Sequence, residues 1–517
     1  MSEPFYITTA ISYPNGRPHI GHAYEAIAAD AIARFYRLNG RDVRLITGTD
    51  EHGLKMVQTA RDAGVDTIKL ADEMSSYFIE MCNKLNINHD GFRRTSEPAH
   101  HEASKALWKA MEANGDLYLD RYEGWYSVRD EAFYAEDELE TGEGGEKLSP
   151  QGTPVQWTAE ETWFFKLSEY QDKLLTLYKE HPEFIQPESR RNEVMRFVEG
   201  GLRDLSVSRT SFDWGVPVPG SPGHVMYVWV DALTTYMTGV GYPDTKGLFA
   251  KYWPADLHLI GKDIVRFHAV YWPAFLMSAG LPVPKQVFGH GFLLNRGEKM
   301  SKSVGNVVDP MELAERFGVD QLRYFLLADV VFGKDGTYSA EAIVTKTNAD
   351  LANNFGNLAQ RSLSMIAKNC EGKVPEPGIA TEAEQQLLGQ LDRCFAEVKE
   401  AMTGGLFKID QALDTIREQL SATNTYFADQ APWALRKTDP ARADSVLFHT
   451  AEALRQLAIM LRWAMPDSCD KMLDLLSQPE DARDFEHLNS TIEPGLQLPQ
   501  PSGIFPRLEP LKDGAEA

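Results

Sequence analysis

The sequence predicts an α/β fold in which a parallel sheet is split into two halves by an insertion and is followed by an all-α part. Three observations predict it. Strand-like and helix-like stretches alternate over the first 53 residues. Strand-like runs return between residues 224 and 294, after a stretch of different character. Beyond about Lys346 the apolar residues follow helical spacing, which indicates a separate helical unit.

The first strand and the first helix have the clearest pattern. Residues 5–11, FYITTAI, are rich in β-branched and aromatic residues and end at the turn formers SYPNGRP. A helix with apolar residues at helical spacing follows from about His19 and stops at Asn-Gly. Residues 42–53, DVRLITGTDEHG, again read as a strand with a polar end, and a strand-helix-strand unit implies a parallel sheet.

Three further strands are predicted over residues 224–233, 257–264 and 286–294. Between them and the first unit, short aromatic stretches, an acidic glycine-rich loop and amphipathic helices indicate an inserted subdomain. We therefore expect six segments: the first half of the sheet (1–114), the insertion (115–220), the second half of the sheet (221–294), a lysine-containing loop with its following region (295–345), the helical domain (346–490) and an extended proline-rich tail (491–517).

Composition limits the class of partner and the compartment. The 517-residue chain carries 52 Lys+Arg against 75 Asp+Glu, a net charge of −23, so its far field repels polyanions and membrane surfaces. We expect no DNA and no membrane partner, and any other nucleic acid must bind at local basic patches. The four cysteines form no CxxC pair and the N-terminus lacks a secretion signal, so a cytoplasmic location is expected.

The stretch RPHIGHAYEA places His19 and His22 at the predicted start of the first helix, on either side of Ile20 and Gly21. A helix N-terminus presents unpaired N–H groups and the positive end of the helix dipole, which favours phosphate. Two imidazoles can donate hydrogen bonds to phosphoryl oxygens, and Gly21 lets a flat base or ribose approach the backbone. For an isolated HxxH pair, two capped surface histidines are the competing interpretation.

The stretch GEKMSKSVGN follows the last predicted strand and holds Lys299 and Lys302 three residues apart. Flexible lysines on such a loop can close over a triphosphate and follow the charge as it moves to the leaving pyrophosphate. Taken alone, the stretch fits an ordinary solvated loop equally well.

Together, HIGH after the first strand and KMSKS after the last strand resemble the signatures of the class I aminoacyl-tRNA synthetases. The stretches YPNGRPHIGHAY, GTDEHGLK, YVWVDALTTY, GKDIVRFHAVYWPAFL and HGFLLNRGEKMSKSVGN are similar to the methionyl family within that class, and the resemblance runs from about residue 4 to residue 510. It implies a split Rossmann-type catalytic domain with a connective insertion, a KMSKS loop with a stem-contact region, and an all-α anticodon-binding domain. The implied activity is that of an ATP-dependent methionine–tRNA ligase.

The resemblance implies a pocket for methionine. Asp50 corresponds to the carboxylate that holds the substrate ammonium in a charge-assisted contact. The competing interpretation of Asp50 is a helix cap after a strand. Aromatic rings suit a polarizable sulfur, with about 0.3–1.5 kcal/mol per contact, and without the resemblance most of them would be assigned to the core. The positions that match those around the thioether side chain are Ile11, Tyr13, Trp229, Ala232, Tyr236 and His268.

The same match implies the groups that act on ATP. His19 and His22 brace the phosphates, Gly261 and Asp263 contact the ribose, and Lys302 is the main lysine on pyrophosphate. The implied catalytic residues are His19, His22, Lys299 and Lys302, and the implied ATP-binding residues are Gly21, Gly261, Asp263, Met300 and Lys302.

The implied reaction has two steps. The methionine carboxylate attacks the α-phosphate of ATP, and the methionyl group then passes to the terminal adenosine of tRNA(Met), including the initiator tRNA. Because the carboxylate is already ionised, the first step requires positioning and charge stabilisation rather than a strong general base. ATP is expected with Mg²⁺, although the sequence contains no dedicated protein cage for that ion.

The helical part carries a second signal. Asn357 and Arg361 lie four residues apart on one predicted helix face, and Trp433 follows Pro432. An amide, a guanidinium and an aromatic plane are groups that read unstacked bases. The resemblance implies that Asn357, Arg361 and Trp433 recognise the CAU anticodon. From the residues alone, a solvated helix face and a packing anchor are the simpler interpretations.

The insertion departs from the zinc-binding branches of the family. Ser127 and Asp130 stand where those branches have a Cys-x-x-Cys pair, and Ser149 and Gln151 stand in the second loop. Such ligands cannot make a tight tetrahedral zinc site, so we predict a zinc-free insertion and no protein-bound metal. Packing of aromatic residues is expected to hold it, namely Trp125, Tyr126, Phe133 and Tyr134. No dimer-forming barrel domain follows the tail, so a monomer is expected.

Two other functions are weighed against this one. The first is an adenylate-forming relative that activates another thiol or thioether amino acid. The match of Tyr13, Trp229 and His268 to the methionine pocket argues against it. The second is a noncatalytic tRNA-binding paralogue of the same fold. The intact histidine pair and Lys302 argue against it, because these groups serve ATP.

Overall fold

The computed structural model describes residues 2–128, 132–142, 144–295, 298–299 and 307–509. The strands are β1 (Pro4–Ser12), β2 (Asp42–Thr49), β3 (Gly91–Arg94), β4 (Leu117–Ser127), β5 (Ala132–Tyr134), β6 (Glu140–Thr141), β7 (Lys147–Leu148), β8 (Gln156–Phe165), β9 (Ile185–Gln186), β10 (Leu205–Ser206), β11 (Ser208–Arg209), β12 (Val225–Met226), β13 (Leu257–Gly261), β14 (Val287–His290), β15 (Leu293–Asn295), β16 (Glu298–Lys299) and β17 (Gly336–Tyr338).

The helices fall into two groups, before and after the predicted start of the helical domain. The first group is α1 (Ile20–Leu38), α2 (Leu54–Ala63), α3 (Thr67–Lys84), α4 (Pro98–Ala113), α5 (Gln171–Glu180), α6 (Glu188–Glu199), α7 (Val228–Thr238), α8 (Leu248–Tyr252), α9 (Trp272–Ser278), α10 (Pro310–Phe317), α11 (Val319–Ala328) and α12 (Ala340–Lys346). The second is α13 (Asn357–Asn369), α14 (Glu382–Thr403), α15 (Ile409–Gln430), α16 (Pro432–Thr438), α17 (Pro440–Leu461) and α18 (Pro466–Leu475).

The central sheet has the order β3-β2-β1-β13-β14-β9, and every neighbouring pair in it is parallel. Ile7 of β1 pairs with Leu45 of β2 on one side and with Leu257 of β13 on the other. The two halves predicted from the sequence therefore meet at β1 and β13, and the α/β fold with a split parallel sheet is confirmed.

The prediction of a strand over residues 224–233 is wrong. Only β12 is extended there, paired with β11, and the chain is helical from Val228 as α7. Every residue from Val230 to Thr238 is buried, so the helix has no polar face. A helix that is buried all round has a near-continuous apolar run, which has the appearance of a buried strand in the sequence.

The insertion contains an antiparallel sheet of order β10-β8-β4-β5. One of its strands belongs elsewhere, because β9 pairs with β14 at the edge of the central sheet. Tyr126 and Tyr134 are buried, and the ring of Trp125 meets that of Trp157 at 5.4 Å. Asp130 and the side chain of Phe133 lie outside the described residues, and the zinc-free insertion stays a prediction.

The helical part shares one hydrophobic core with α1 rather than standing apart. The ring of Phe35 on α1 lies 6.2 Å from that of Trp463 and 5.0 Å from that of Phe485. The tail lies against the stretch before α14, where Val374 N donates to Leu496 O at 2.9 Å. None of the helices in the described part of the chain has both the length and the apolar character needed to cross a bilayer.

Candidate active site

A cavity of about 380 Å³ opens at the carboxyl ends of β1, β2, β13 and β14. Open parallel sheets bind their ligands at this edge. The register between β1 and β2 shifts between Thr8 and Ile11, next to the end of β1 that lines the cavity. The predicted site residues that line it are Ile11, Tyr13, His19, Gly21, His22, Asp50, Trp229, Gly261 and Asp263.

The histidine pair caps α1. Nδ1 of His19 accepts a hydrogen bond from Gly21 N at 3.0 Å, and Nδ1 of His22 accepts one from His19 N at 3.1 Å. An imidazole that accepts at Nδ1 carries its proton on Nε2, so Nε2–H is the donor that each ring can offer to a ligand. The two rings lie 3.9 Å apart at the positive end of the helix dipole.

Two glycines make room for these polar groups. A Cβ on Gly21 would lie 2.8 Å from Cε1 of His19, so any side chain there displaces the imidazole. A Cβ on Gly261 would lie 2.8 Å from Oδ1 of Asp263. A side chain at either glycine would therefore shift the neighbouring imidazole or carboxylate from its position, a reason that the sequence alone did not supply.

Asp50 lies in the wall of the cavity, on a backbone held by its neighbours. The backbone N of Asp50 donates to Ser12 O at 2.9 Å, and Asp50 is only 8% exposed. The next residue, Glu51, is anchored by Arg94, whose Nε donates to Oε1 at 2.6 Å. A largely buried carboxylate at a cavity wall suits an ammonium group.

The predicted methionine-pocket residues form two layers. Trp229 lines the cavity and stacks on Phe267, with ring centroids 3.8 Å apart and an interplanar angle of 5°. Ala232, Tyr236 and His268 are buried and do not line the cavity. They lie behind the wall, with His268 meeting Trp229 edge to face at 5.9 Å.

His268 is a buried neutral histidine. Burial lowers its pKa to about 4. Its Nδ1 lies 2.9 Å from Ile264 O, a carbonyl that can only accept, so Nδ1 carries the proton. Nε2 then accepts from the hydroxyl of Tyr236 at 2.6 Å, which fixes both side chains.

The lysine loop is tied to the cavity at both ends. Leu293 lines the cavity at the start of β15, and Leu294 pairs with Lys299 of β16. Beyond the loop, Val308 O accepts from Ile20 N, in the first residue of α1, at 3.0 Å. Met300, Lys302 and the side chain of Lys299 lie outside the described residues.

Sequence reasoning missed several lining residues, among them Glu25, Lys55 and His290. Oε2 of Glu25 lies 2.8 Å from Nε2 of His290. Burial alone would lower the pKa of His290, but Glu25 outweighs it and raises the pKa above the usual value. Glu25 could have been found, since it follows His22 by three residues on one helical face. His290 is the last residue of β14 and Lys55 lies in the first turn of α2, and such positions are only a weak signal.

The predicted anticodon residues share one exposed surface. The guanidinium of Arg361 lies 5.3 Å from the ring centroid of Trp433 and 5.1 Å from that of Phe427. Trp433 is 45% exposed, and Asn357 is exposed one turn before Arg361 on α13. A cation beside an open aromatic plane can stack a base.

The cavity offers carboxylates and imidazoles but no assembled metal site. In the part of the chain that the structure describes, His, Cys, Asp and Glu side chains nowhere gather in threes or more as a metal ion requires. A divalent cation here would therefore take most of its ligands from phosphate oxygens and water.

Two family models match the chain. Residues 5–363 match "tRNA synthetases class I (M)", and residues 374–513 match "Anticodon binding domain of methionyl tRNA ligase". The methionine–tRNA ligase of Brucella suis biovar 1 is 60% identical over 98% of both chains, and that of Mycobacterium bovis is 58% identical with the same coverage.

Solved structures agree with these matches. The structure of Mycobacterium tuberculosis methionyl-tRNA synthetase in complex with methionyl-adenylate has a TM-score of 0.95 and 57% identity, and the alignment covers 98% of this chain and 100% of the other. The free-state structure of that synthetase has a TM-score of 0.89 and 54% identity over 99% of both chains. The chain therefore belongs to the methionine–tRNA ligases, a family of ATP-dependent class I aminoacyl-tRNA synthetases.

Proposed function

We propose that this chain activates methionine with ATP to methionyl-adenylate and transfers the methionyl group to the terminal adenosine of tRNA(Met), including the initiator tRNA. One observation carries the proposal: a single cavity is lined by the histidine pair, by Asp50, and by Gly261 and Asp263. These groups come from segments far apart in the sequence. Their shared wall supports one site for an amino acid beside a nucleotide.

In the proposed site Asp50 pairs with the methionine ammonium, and Ile11, Tyr13 and Trp229 surround the thioether. The positioned Trp229 supports a fixed pocket, because its stacking on Phe267 restricts the ring. Ala232, Tyr236 and His268 are proposed to shape the pocket from behind the wall. A rigid aromatic wall suits a polarizable sulfur without a hydrogen bond to it.

On the nucleotide side, Nε2–H of His19 and of His22 would donate to phosphate oxygens at the N-terminus of α1. Asp263 would hold the ribose, with Gly21 and Gly261 as the close backbone approaches. Lys299, Met300 and Lys302 are proposed to close over the phosphates, with Lys302 on the leaving pyrophosphate. Mg²⁺ is proposed to accompany ATP, held mainly by the phosphates.

For the second step, Asn357, Arg361 and Trp433 are proposed to read the CAU anticodon. The neighbouring guanidinium and exposed indole support stacking of an anticodon base. We also propose a cytoplasmic monomer, with no DNA partner and with the six segments given above as its domain organisation.

The test is exchange of labelled pyrophosphate into ATP, run with and without methionine and with and without tRNA. Methionine-dependent exchange without tRNA is expected, followed by charging of tRNA(Met) when it is added. Exchange driven by cysteine but not methionine would favour the adenylate-forming rival. Tight tRNA binding without any exchange would favour the noncatalytic paralogue.

A further inference from the structure

We propose that His52, Asp231 and His100 form a buried positioning bridge that sets the distance between the ammonium site and the thioether site. The proposal rests on the proposed function, in which Asp50 holds the ammonium and Trp229 contacts the thioether. His52 follows Asp50 by two residues, and Asp231 follows Trp229 by two residues. A bond between His52 and Asp231 therefore ties together the two ends of the substrate pocket.

The hydrogen bonds of the bridge are short and buried from solvent. Nδ1 of His52 lies 2.5 Å from Oδ2 of Asp231, and Nε2 of His100 lies 2.5 Å from Oδ1. Asp231 and His100 are completely buried, and His52 is 3% exposed. A buried carboxylate is costly unless it is fully hydrogen-bonded, so the two imidazoles together make this position tenable.

The protonation of the bridge follows from its partners. An ionised carboxylate only accepts, so Nδ1 of His52 and Nε2 of His100 both carry protons. Burial opposes the charge on Asp231, but the two histidines outweigh it and lower the pKa of that carboxyl below its usual range. Nδ1 of His100 lies 3.0 Å from Oγ1 of Thr238, which fixes the second imidazole from the other end of α7.

The surroundings of His52 leave it little freedom. Its ring meets that of Trp214 edge to face at 5.3 Å, and the indole of Trp214 donates to Glu51 O at 2.6 Å. Glu51 is in turn held by Arg94 on the far side of the loop. The loop after β2 is thus held by contacts on two sides. The Arg94 contact is on one side, and the bridge to α7 is on the other.

The expected consequence concerns substrate length. Methionine spans from its ammonium to its thioether methyl, so a pocket of fixed length discriminates against a side chain one methylene shorter or longer. Loss of the bridge lets the loop after β2 move relative to α7. Methionine affinity then falls and length discrimination relaxes, while the nucleotide side, which depends on α1 and β13, is unaffected.

The choice of side chain sharpens the test. The amide nitrogen of asparagine stands at the position of His Nδ1, and that of glutamine at the position of Nε2. His52→Asn and His100→Gln therefore retain the donor to Asp231, whereas His52→Gln and His100→Asn do not. We expect the first pair to resemble the unaltered protein, and the second pair and Asp231→Asn to raise the methionine KM by about tenfold.

The experiment measures pyrophosphate exchange with methionine, S-methylcysteine and ethionine, together with the ATP KM and the melting temperature of each variant. His449→Gln is the matched control, because His449 is a buried histidine of α17, far along the chain from the pocket segments, whose Nδ1 bonds along its own helix to Ser445 O at 2.8 Å. Methionine binding is also followed by calorimetry, so that a slow variant still gives a result. An unchanged ATP KM and weaker length discrimination are expected.

Four outcomes separate the hypotheses. Equal behaviour of His52→Asn and His52→Gln, or loss of melting temperature and kcat with no change in the methionine KM, overturns the bridge and leaves a merely structural cluster. Unchanged KM values in all five variants overturn it as well. Failure of the unaltered protein to catalyse methionine-dependent exchange would instead refute the proposed function.

Discussion

Arg323 and Asp30 form a completely buried ion pair between α11 and α1, with Nη2 of Arg323 2.6 Å from Oδ2 of Asp30. The same guanidinium donates from Nε to Ala464 O at 3.0 Å and from Nη1 to Leu85 O at 3.1 Å. One side chain thus joins the helix that carries the histidine pair to the chain between α17 and α18. A planar fork with several donors can do this, and a lysine cannot.

We predict that Arg323→Met lowers the free energy of unfolding by about 3 kcal/mol, because the buried Asp30 keeps only Arg34 of its two guanidinium partners and the carbonyls of Ala464 and Leu85 lose this donor. Arg323→Lys is also expected to be destabilising. Urea unfolding and thermal melting measure both. Arg417→Ala is the control, because its ion pair with Asp414 is partly exposed and is worth about 1 kcal/mol or less. Equal loss in Arg323→Met and the control would contradict a structural role for the pair.

The pKa of His268, lowered to about 4 by burial, predicts a pH dependence of stability. Between pH 6.5 and pH 4 the unfolded chain binds a proton at this residue and the folded chain does not, so stability falls as the pH falls. From pH 7 to pH 5 this residue accounts for about 2 kcal/mol. His268→Asn, which keeps a donor for Ile264 O, should show that much less pH dependence in urea unfolding. Parallel pH profiles would refute the prediction.

Lys302→Ala is expected to reduce methionyl-adenylate formation by orders of magnitude and to change methionine affinity little. The reason is that its proposed contact strengthens only as pyrophosphate leaves. Pyrophosphate exchange and equilibrium binding of methionine measure the two effects. Lys69→Ala, an exposed lysine of α3 paired with Asp66, should leave both unchanged. An equal loss of methionine binding in Lys302→Ala would contradict its role.

Trp433→Ala is expected to impair charging of tRNA while leaving methionine activation intact, because a stacked base is worth about 1–3 kcal/mol. The KM for tRNA should rise by the factor that corresponds to this free energy. Trp433→Phe keeps an aromatic plane and should recover part of the lost affinity for tRNA. Impaired exchange without tRNA in Trp433→Ala would mean that the indole serves packing instead.

Metal analysis of the purified protein tests the insertion, which is expected to contain no zinc. Ser127 and Ser149 both bond to Oγ1 of the buried Thr153, at 2.7 and 2.8 Å. Chelator treatment should therefore leave the melting temperature unchanged. Stoichiometric zinc, or a chelator-dependent fall in melting temperature, would overturn the prediction. Light scattering on the same sample is expected to give the mass of one chain.

Much of the fold and part of the site could be read from the sequence. Alternating element types over the first 53 residues gave the parallel sheet, because hydrophobic periodicity is a local property of the chain. His19 and His22 could be placed at the start of α1, because turn formers precede an apolar helical pattern there, whereas Asp50 was singled out only by the family resemblance. The order of the predicted strands along the chain also placed the two halves of the sheet on either side of the insertion.

Tertiary structure decided the rest. Residues 228–238 form a helix because packing surrounds them on all sides, which erases the periodicity that would reveal a helix. The same packing put Tyr236 and His268 behind the wall rather than in it, and brought Glu25 to His290. Contacts between residues hundreds of positions apart depend on how the elements pack, and local sequence determines only what each element is.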